Sequence, residues 1–336
     1  MKYQELFRVL KKSTIYFSIP VYNITWLRRS EFYKGLLNEL QITVVDVGAR
    51  NSSLEELSPL QSYINYIGFD ADEQEVRRLN NKSNFFNSSK FITAYVGPTN
   101  KKFRFALHHD AGNSSIYPFN EKYLKWFRGN AKDYVKSYFD MTGISLDDLL
   151  EEDVDVIKVD TQGTEYDIIK SAPKCLAKSL MVEIEVEFMQ MYEGQKLAHD
   201  VFQLMHESGF ELLYINRVFA QSSNYNGLSR GQIVFGDVLF GLSRDKALTL
   251  PLSKQLKYLA LLINYGHIDF AHDIYTNNNN LRKELPLLDD FFARNGNQKL
   301  ISKVFRSLID KVIFLLLIAR RYNGLKYDSD RSWPIR

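Results

Sequence analysis

The sequence VVDVGARNSS, Val44 to Ser53, points to a fold more clearly than any other stretch of the chain. An apolar pair leads to an acid and a glycine, and small or polar residues follow. This order is typical of a buried strand that ends in a turn at the edge of an open α/β sheet where ligands bind. A dinucleotide would need a G-x-G-x-x-G loop, and Gly48 is the only glycine in this stretch. By itself the stretch leaves two interpretations open, a cofactor site and an ordinary strand exit.

Short apolar runs alternate with helical patterns along the following chain. We predict further strands within YINYIGFDAD (63–72), KFITAYVG (90–97), KFRFALH (102–108), DVDVIKVD (153–160) and SLMVEIEVEF (179–188). The last two predicted strands, FELLYIN and QIVFGDVLFGL, suit an antiparallel pair. Strands that alternate with helices predict an α/β fold with a mostly parallel, doubly wound sheet, here with its last strand antiparallel.

These patterns divide the chain into three segments. Residues 1–41 are predicted to be an N-terminal helical segment, 42–245 the α/β domain, and 246–336 a helical C-terminal extension. Within the extension, the run Asn277 to Asn280 is predicted to be a linker.

The composition is that of a soluble globular protein. The chain has 336 residues, 45% of them hydrophobic and 25% charged. Its net charge of +3 is too small to indicate nucleic-acid binding, so we predict no nucleic-acid partner. The single cysteine, Cys175, excludes an intramolecular disulfide and fits a cytoplasmic location. No spacing of histidines and acids is diagnostic of a metal site, and we predict no metal.

A ribose-binding acid is the strongest general sign of a cofactor. Asp70 ends the second predicted strand, 22 residues after Gly48. An acid at this distance and place can accept hydrogen bonds from two ribose hydroxyls. S-adenosylmethionine (SAM) has a ribose but no phosphate, so it does not need a glycine-rich loop. The acid Asp46 also suits the cationic amino group of the methionine part of SAM.

Four segments, in order, resemble the FkbM family of SAM-dependent methyltransferases. VDVGARNS resembles its first SAM motif, GFDADEQEVRRL its second-strand segment, GNSSIYPFN its paired-serine segment, and IKVDTQGTEYDIIKSA its K-I-D-x-x-G-x-E block. The resemblance covers roughly residues 40–242. It implies a class I methyltransferase-like (Rossmann-like) fold, SAM as cofactor, and O-methylation of a sugar in a surface polysaccharide or glycoconjugate, or of a secondary metabolite.

The resemblance and the strand pattern together predict a cofactor site. The predicted cofactor-binding residues are Asp46, Gly48, Ala49, Arg50, Asp70, Ala71, Val96, Ser114 and Ser115. The chain departs from the family at two of the loop positions, because Arg50 stands where asparagine is usual and Ser52 where glycine is usual. We expect Arg50 to be able to pair with the carboxylate of the methionine part.

Methyl transfer is an in-line displacement that needs an aligned acceptor and, for a hydroxyl, removal of a proton. Asp160 follows the fourth strand of the predicted parallel sheet, and we predict that it faces the reacting centre. Glu183, Glu185 and Glu187 alternate on one face of the next strand, and Glu185 is our second catalytic candidate. Glu165 is interpreted equally well as a helix cap, and the adjacent His108 and His109 as a base or as part of an exposed loop.

Two segments carry open alternatives about partners. The aromatic and basic insert 114–139 is either a lid over a small-molecule or glycan acceptor, or a pair of amphipathic helices packed on the core. The C-terminal helix 303–322 could lie at the inner face of a membrane, or be buried in a core or a homo-oligomer interface. Its apolar run Val312 to Ala319 has eight residues, whereas a spanning helix needs about 20.

Two other functions remain open at this point. A catalytically inactive scaffold in glycan biosynthesis would keep the fold and tolerate the altered first loop. An NAD-dependent oxidoreductase is disfavoured because the glycine triplet is missing. The sequence does not define which acceptor is methylated.

Overall fold

The computed structural model describes residues 26–50, 55–82, 84–126, 135–225, 231–296 and 327–329. The chain divides into two compact units. The larger unit comprises Gln41–Leu54 and Gln61–Lys246. The smaller unit comprises Met1–Leu40, Glu55–Leu60 and Ala247–Arg336.

Strands and helices alternate as the sequence pattern predicts. The strands are β1 Ile42–Val47, β2 Ile64–Asp70, β3 Ser88–Thr93, β4 Tyr95–Val96, β5 Lys102–His108, β6 Val135–Ile144, β7 Val156–Val159, β8 Met181–Glu187, β9 Phe210–Ala220, β10 Gln232–Leu242 and β11 Tyr327–Ser329. The helices are α1 Trp26–Leu37, α2 Glu73–Asn80, α3 Glu121–Trp126, α4 Leu146–Leu149, α5 Glu165–Lys170, α6 Pro173–Lys178, α7 Ala198–Glu207, α8 Arg244–Thr249, α9 Leu252–Tyr265, α10 Ile268–Thr276, α11 Asn279–Glu284 and α12 Leu287–Gly296. Two 3-10 helices lie at Glu55–Tyr63 and Ala111–Asn113.

The main sheet of the larger unit has the strand order β3-β2-β1-β7-β8-β10-β9. Strands β3, β2, β1, β7 and β8 are parallel, and β10 runs antiparallel to both β8 and β9. The predicted α/β fold, a mostly parallel sheet with its last strand antiparallel, is therefore confirmed. The chain order reverses between β1 and β7, so the carboxyl ends of these two strands form the crevice where such sheets bind ligands.

One face of the central strands is apolar and fully buried, as at Val45, Ile157 and Ile184. The other face carries charged and polar side chains. Asp46 on β1 lies opposite Lys158 on β7, which in turn lies opposite Glu183 on β8. Two residues further along, Glu185 lies opposite Asp237 on β10, and Asp237 lies opposite Asn216 on β9. The alternating glutamates of β8 therefore belong to a polar row that crosses the sheet.

A second, three-stranded sheet has the order β4-β6-β5. The predicted strand 90–97 is divided here, because β3 joins the main sheet and β4 joins this one. Within the insert, the helical interpretation is wrong for residues 135–139: this part belongs to the ten-residue strand β6, which pairs antiparallel with β5. Its side chains Tyr138 and Phe139 are exposed rather than packed on the core, as is Trp126 at the end of α3.

The smaller unit is helical within the residues that the structure describes, apart from the short strand β11. The predicted asparagine linker is wrong. Asn277 ends α10, and the Asn278 side chain accepts hydrogen bonds from the backbone N–H groups of Asn280 and Leu281, so that α11 begins directly at Asn279. None of the helices in the described ranges combines the length and apolarity needed to cross a membrane. The predicted C-terminal helix 303–322 and residues 1–25 of the predicted N-terminal segment lie outside the described residues.

Candidate functional site

An open pocket lies in the larger unit at the carboxyl ends of β1, β2 and β7. Its empty volume is about 850 Å³, part of which is open to solvent. Six of the nine predicted cofactor residues line it, namely Gly48, Arg50, Asp70, Ala71, Val96 and Ser114, and so does the catalytic candidate Asp160. Asp46, Ala49, Ser115 and Glu185 are not among the residues that line it. The roles of all these residues stay predictions.

The turn after β1 is fixed by its own backbone. Gly48 has φ +86°, and the backbone N–H groups of Gly48 and Ala49 both donate to the carbonyl oxygen of Phe69 at 2.9 Å. A Cβ atom at residue 48 would overlap the backbone carbonyl oxygen of Asp160. Residue 48 must therefore be glycine for the chain after β1 to lie this close to the chain after β7. Because the amides of Gly48 and Ala49 are already bonded, neither of these two is available to a pyrophosphate.

Asp70 ends β2 with its carboxylate at the pocket. Its Oδ1 atom accepts a hydrogen bond from the backbone N–H of Asp72 at 2.8 Å. Burial raises the pKa of Asp70, whereas the Asp72 amide and the guanidinium of Arg50 lower it. Arg50 donates to Asp72 at 2.7 Å and lies 3.8 Å from Asp70 and 3.9 Å from Glu75. The arginine that replaces the usual asparagine is therefore bonded or close to three acids, Asp70, Asp72 and Glu75.

Asp46 is fully buried and bonded to protein groups. The hydroxyl of Tyr66 donates to its Oδ2 atom at 2.7 Å, and the Lys158 ammonium lies 3.4 Å from its Oδ1 atom. Burial lowers the pKa of Lys158, but Asp46 and further carboxylates together raise it above its usual range. In this arrangement Asp46 supports the strand ends and does not face the pocket.

The paired serines lie on a segment that crosses the loop after β7. The hydroxyl of Ser114 accepts a hydrogen bond from the His108 amide at 3.1 Å. The hydroxyl of Ser115 accepts from the Tyr117 amide and donates to the carbonyl oxygen of Gln162 at 2.7 Å. Ser114 thus faces the pocket while Ser115 fixes the backbone of the 160–164 loop.

Asp160 and Glu185 are connected by one side chain. The amide nitrogen Nε2 of Gln162 donates to Asp160 at 3.1 Å and to Glu185 at 3.0 Å. Burial raises the pKa of Asp160, partly offset by the positive charge of Lys158. Burial, together with neighbouring acids, also raises the pKa of Glu185 well above its usual range. The two predicted catalytic candidates are therefore brought together, although only Asp160 lines the pocket.

Glu165 organises the loop rather than facing the pocket. Its carboxylate accepts hydrogen bonds from the backbone N–H groups of Thr161 at 2.8 Å and Gly163 at 2.9 Å, and from the Thr161 hydroxyl at 3.0 Å. Burial raises its pKa to about 7, even though these hydrogen bonds lower it. This geometry favours the capping interpretation of Glu165 over a catalytic one.

The adjacent histidines stand apart from the pocket lining. His108 is buried with its ring edge-on to Phe119, at 4.7 Å between centroids, and His109 is exposed. Phe119 also stacks on Tyr192, with centroids 4.9 Å apart. His108 therefore contributes to the packing of the segment 114–119, which contains Phe119.

Comparison with known families agrees with this geometry. Residues 46–212 match the model of the methyltransferase FkbM domain. This match assigns residues 46–212 to the FkbM methyltransferase domain. The match spans the strand exits that form the pocket, from the β1 turn through the loop after β7. No curated protein is similar enough in sequence to count as a match.

The chain resembles three solved methyltransferases of distant sequence, among other structures. A TehB-like SAM-dependent methyltransferase from Corynebacterium glutamicum is 10% identical, with a TM-score of 0.31 over 64% of this chain and 88% of that one. A precorrin-6y C5,15-methyltransferase from Geobacter metallireducens is 9% identical, with a TM-score of 0.31 over 63% and 86%. An rRNA methylase from Streptococcus thermophilus is 12% identical, with a TM-score of 0.29 over 63% and 95%. These likenesses are too weak to carry an argument about function.

The FkbM domain also contains site residues that the sequence prediction missed. Gln162 bonds to both Asp160 and Glu185, the Tyr192 hydroxyl bonds to the Gln162 amide oxygen, and Lys158 binds Asp46. Lys158 and Gln162 both stand in the K-I-D-x-x-G-x-E block, but Asp46, Glu185 and Tyr192 lie far from it in the chain. Only the fold brings these residues together, so their contacts could not be predicted from the linear sequence.

Proposed function

We propose that this protein, with its FkbM domain, is a SAM-dependent methyltransferase that methylates a hydroxyl group of a small-molecule or glycan acceptor. The observation that carries the proposal is the placement of Asp70 and Asp160 in one pocket, at the ends of β2 and β7. A carboxylate at the tip of the second strand suits the two ribose hydroxyls of SAM. The second carboxylate then stands on the side where a methyl group and its acceptor would meet.

The pocket suits SAM better than a dinucleotide. In the described part of the β1 turn, the amides of Gly48 and Ala49 bond to Phe69, so these two are not available to a phosphate. Directly after β3, the pocket is lined by Ala94, Tyr95 and Val96, which offer apolar contact for a purine ring. SAM supplies the methyl group on its sulfonium, and this chain's residues bind and orient the two reactants.

Hydroxyl methylation is supported by the charges beside Asp160. Because burial raises its pKa, its carboxylate holds a proton more tightly than an exposed aspartate would. It can therefore accept a hydrogen bond, and then the proton, from an acceptor hydroxyl. Carboxylates also suit polyhydroxylated acceptors, which donate hydrogen bonds, better than acidic ones. The choice of a glycan or secondary-metabolite acceptor rests on the resemblance to the FkbM family.

Calorimetric titration with SAM tests the proposal. We expect wild-type protein to bind one SAM and Asp70→Asn to bind it at least about tenfold more weakly, because the ribose loses a charged acceptor. Glu73→Gln is the matched control, since Glu73 is an exposed carboxylate on the adjacent helix, paired with Arg77 and outside the pocket. Equal affinity in wild type and Asp70→Asn, or no binding of SAM by wild type, would refute the proposal.

A further inference from the structure

Gln162 has an unusual backbone conformation for its residue type. Among the described residues, three that are not glycine have φ in the left-handed region: Asn38, Asn100 and Gln162, the last at +61°. Asparagine visits this region readily because its short side chain can bond locally, whereas glutamine does so rarely. A turn that needed only this backbone shape would be met more easily by asparagine or glycine. The side chain of Gln162 is therefore the feature to explain.

Both hydrogens of the Gln162 amide are used on carboxyl groups. Nε2 lies 3.1 Å from Asp160 Oδ1 and 3.0 Å from Glu185 Oε1. Asp160 directly follows β7 and Glu185 lies on β8, and the pairing of Val159 with Ile184 places the two acids side by side. An amide nitrogen has two hydrogens, so it can serve both acids at once.

The amide is held from its other end as well. The hydroxyl of the buried Tyr192 lies 3.0 Å from Gln162 Oε1 and 3.3 Å from the carbonyl oxygen of Asn113, on the side of the amide away from the two acids. Ser115 donates to the carbonyl oxygen of Gln162 at 2.7 Å and so fixes the backbone. The Gln162 amide is therefore positioned by three separate segments of the chain, which contain Ser115, Glu185 and Tyr192.

We infer that Gln162 is a positioning residue that joins Asp160 to Glu185 by sharing its two amide hydrogens between them. It holds the pocket-lining carboxylate of Asp160 in one orientation, with the carboxyl group of Glu185 behind it. The catalytic importance of this bridge rests on the proposed function, but the bridge itself does not.

The surroundings of the two acids make the bridge sensitive to pH. Charged and titratable groups face the pair from β1, β7, β8, β10 and the loops beside them: Asp46, Lys158, Glu165, Glu187, Tyr192 and Asp237. Among these groups Lys158 is a cation, already bound to Asp46, so acids outnumber cations. The Gln162 amide lowers the pKa of Asp160 by bonding to its ionised form. Loss of the Gln162 amide should therefore lower stability most at pH values at which Asp160 is ionised.

Thermal unfolding of the full chain across pH tests this inference without any substrate. Because burial raises the folded-state pKa of Asp160 above that of the unfolded chain, this acid contributes stability at low pH that is lost as pH rises through its folded pKa. Gln162→Met keeps the volume but removes the donors, so it should raise that pKa further. We expect its Tm deficit against wild type to be about 3 °C larger at pH 8.5 than at pH 5.5.

Gln203→Met is the matched control. Gln203 also donates from Nε2 to a glutamate, Glu207, at 2.8 Å, but this pair is exposed on α7. We expect its small effect on Tm to be the same at both pH values. A Gln162→Met deficit that is equally independent of pH would show that Gln162 only packs, and would overturn the inference.

Gln162→Glu keeps the test decisive if the methionine variant does not fold. Its side chain has nearly the shape of glutamine and can stay neutral at pH 5.5, so we expect it to fold there with a Tm near that of wild type. At pH 8.5 it adds a third carboxyl group to the pair, and we expect a fall in Tm steeper than that of Gln162→Met. Failure to fold at pH 5.5, or a slope like that of wild type, would contradict the inference. A steep slope in a protein that does not bind SAM would keep the bridge and reject only the proposed function.

Discussion

At the scale of single residues, Gly48 has a structural role, although sequence motifs assign this residue to cofactor binding. Its left-handed φ and its closeness to the Asp160 carbonyl oxygen exclude a side chain for two separate reasons. We predict that Gly48→Ala lowers the free energy of unfolding by more than about 3 kcal/mol. Gly194→Ala should cost only about 1 kcal/mol, because Gly194 has a similar φ of +82° with no atom near a Cβ position. Urea unfolding followed by circular dichroism measures both values, and equal losses would contradict the steric explanation.

Arg50 and Asp70 lead to a prediction about pH. Burial raises the pKa of Asp70 and Arg50 lowers it, so Arg50→Gln should raise it further. If the ionised carboxylate binds the ribose, SAM affinity falls as pH drops through this pKa. The variant should therefore lose affinity at a higher pH than wild type, by up to about tenfold for each unit by which the pKa rises.

Calorimetric titration with SAM between pH 5 and pH 8 measures this difference. Arg77→Gln is the control, because Arg77 is an exposed arginine paired with Glu73 outside the pocket. Parallel pH profiles for wild type and Arg50→Gln would show that Arg50 does not govern the charge of Asp70.

The positions of Gly48, Asp70 and Asp160 at strand ends could be predicted because chain order reveals where strands end, and all three line the pocket. The role of Asp46 in binding SAM stays a prediction, and its bonds to Tyr66 and Lys158 were not predicted. Contacts of this kind depend on which strands are neighbours and in which register, and chain order does not specify either.

At the scale of elements, α5 and α7 each carry an acid in their first turn, Glu165 and Asp200, and the pKa values of the two acids shift in opposite directions. Burial raises the pKa of Glu165 to about 7, so its contribution to stability is lost as pH rises from about 4.5 towards 7. Hydrogen bonding to the Leu197 amide, helped by Lys196, lowers the pKa of Asp200, so its contribution is lost as pH falls through the acid range. We predict that Glu165→Gln removes a decline in stability above pH 5, whereas Asp200→Asn removes a decline below pH 5.

Urea unfolding at pH 3.5, 5 and 7.5 measures both slopes, and each variant serves as the control for the other. A Glu165→Gln variant whose stability still falls from pH 5 to pH 7.5 as steeply as that of wild type would contradict the assignment.

Secondary structure was predictable where burial imposed a clear period. The main-sheet strands are apolar runs, and their order along the chain sufficed to predict a parallel sheet. For residues 135–139, the first half of β6, helix was one of the two alternatives, because exposed aromatic and basic residues hide the period of two. Pairing with β5 supplies what the local pattern lacks. The helix α11 was missed because Asn278 was assigned to a linker, although asparagine is also a strong N-cap residue.

At the scale of the whole molecule, the two compact units should respond differently to SAM. Every residue that lines the pocket belongs to the larger unit. We predict that saturating SAM slows hydrogen exchange in the segments 44–50, 68–72, 94–97 and 111–116, and in the loop 160–165, by raising the free energy of local opening. Residues 252–296 of the smaller unit provide the internal control and should exchange at unchanged rates. Protection confined to 252–296 would place the ligand in the other unit.

The most direct test of the central claim is a crystal structure of the protein with S-adenosylhomocysteine, the product of methyl transfer. The predicted result has both ribose hydroxyls within about 3 Å of the Asp70 carboxylate and the sulfur atom on the side of the pocket where Asp160 and Gln162 lie. A ribose bound away from Asp70, or the ligand outside the pocket between the β1, β2 and β7 ends, would contradict the account.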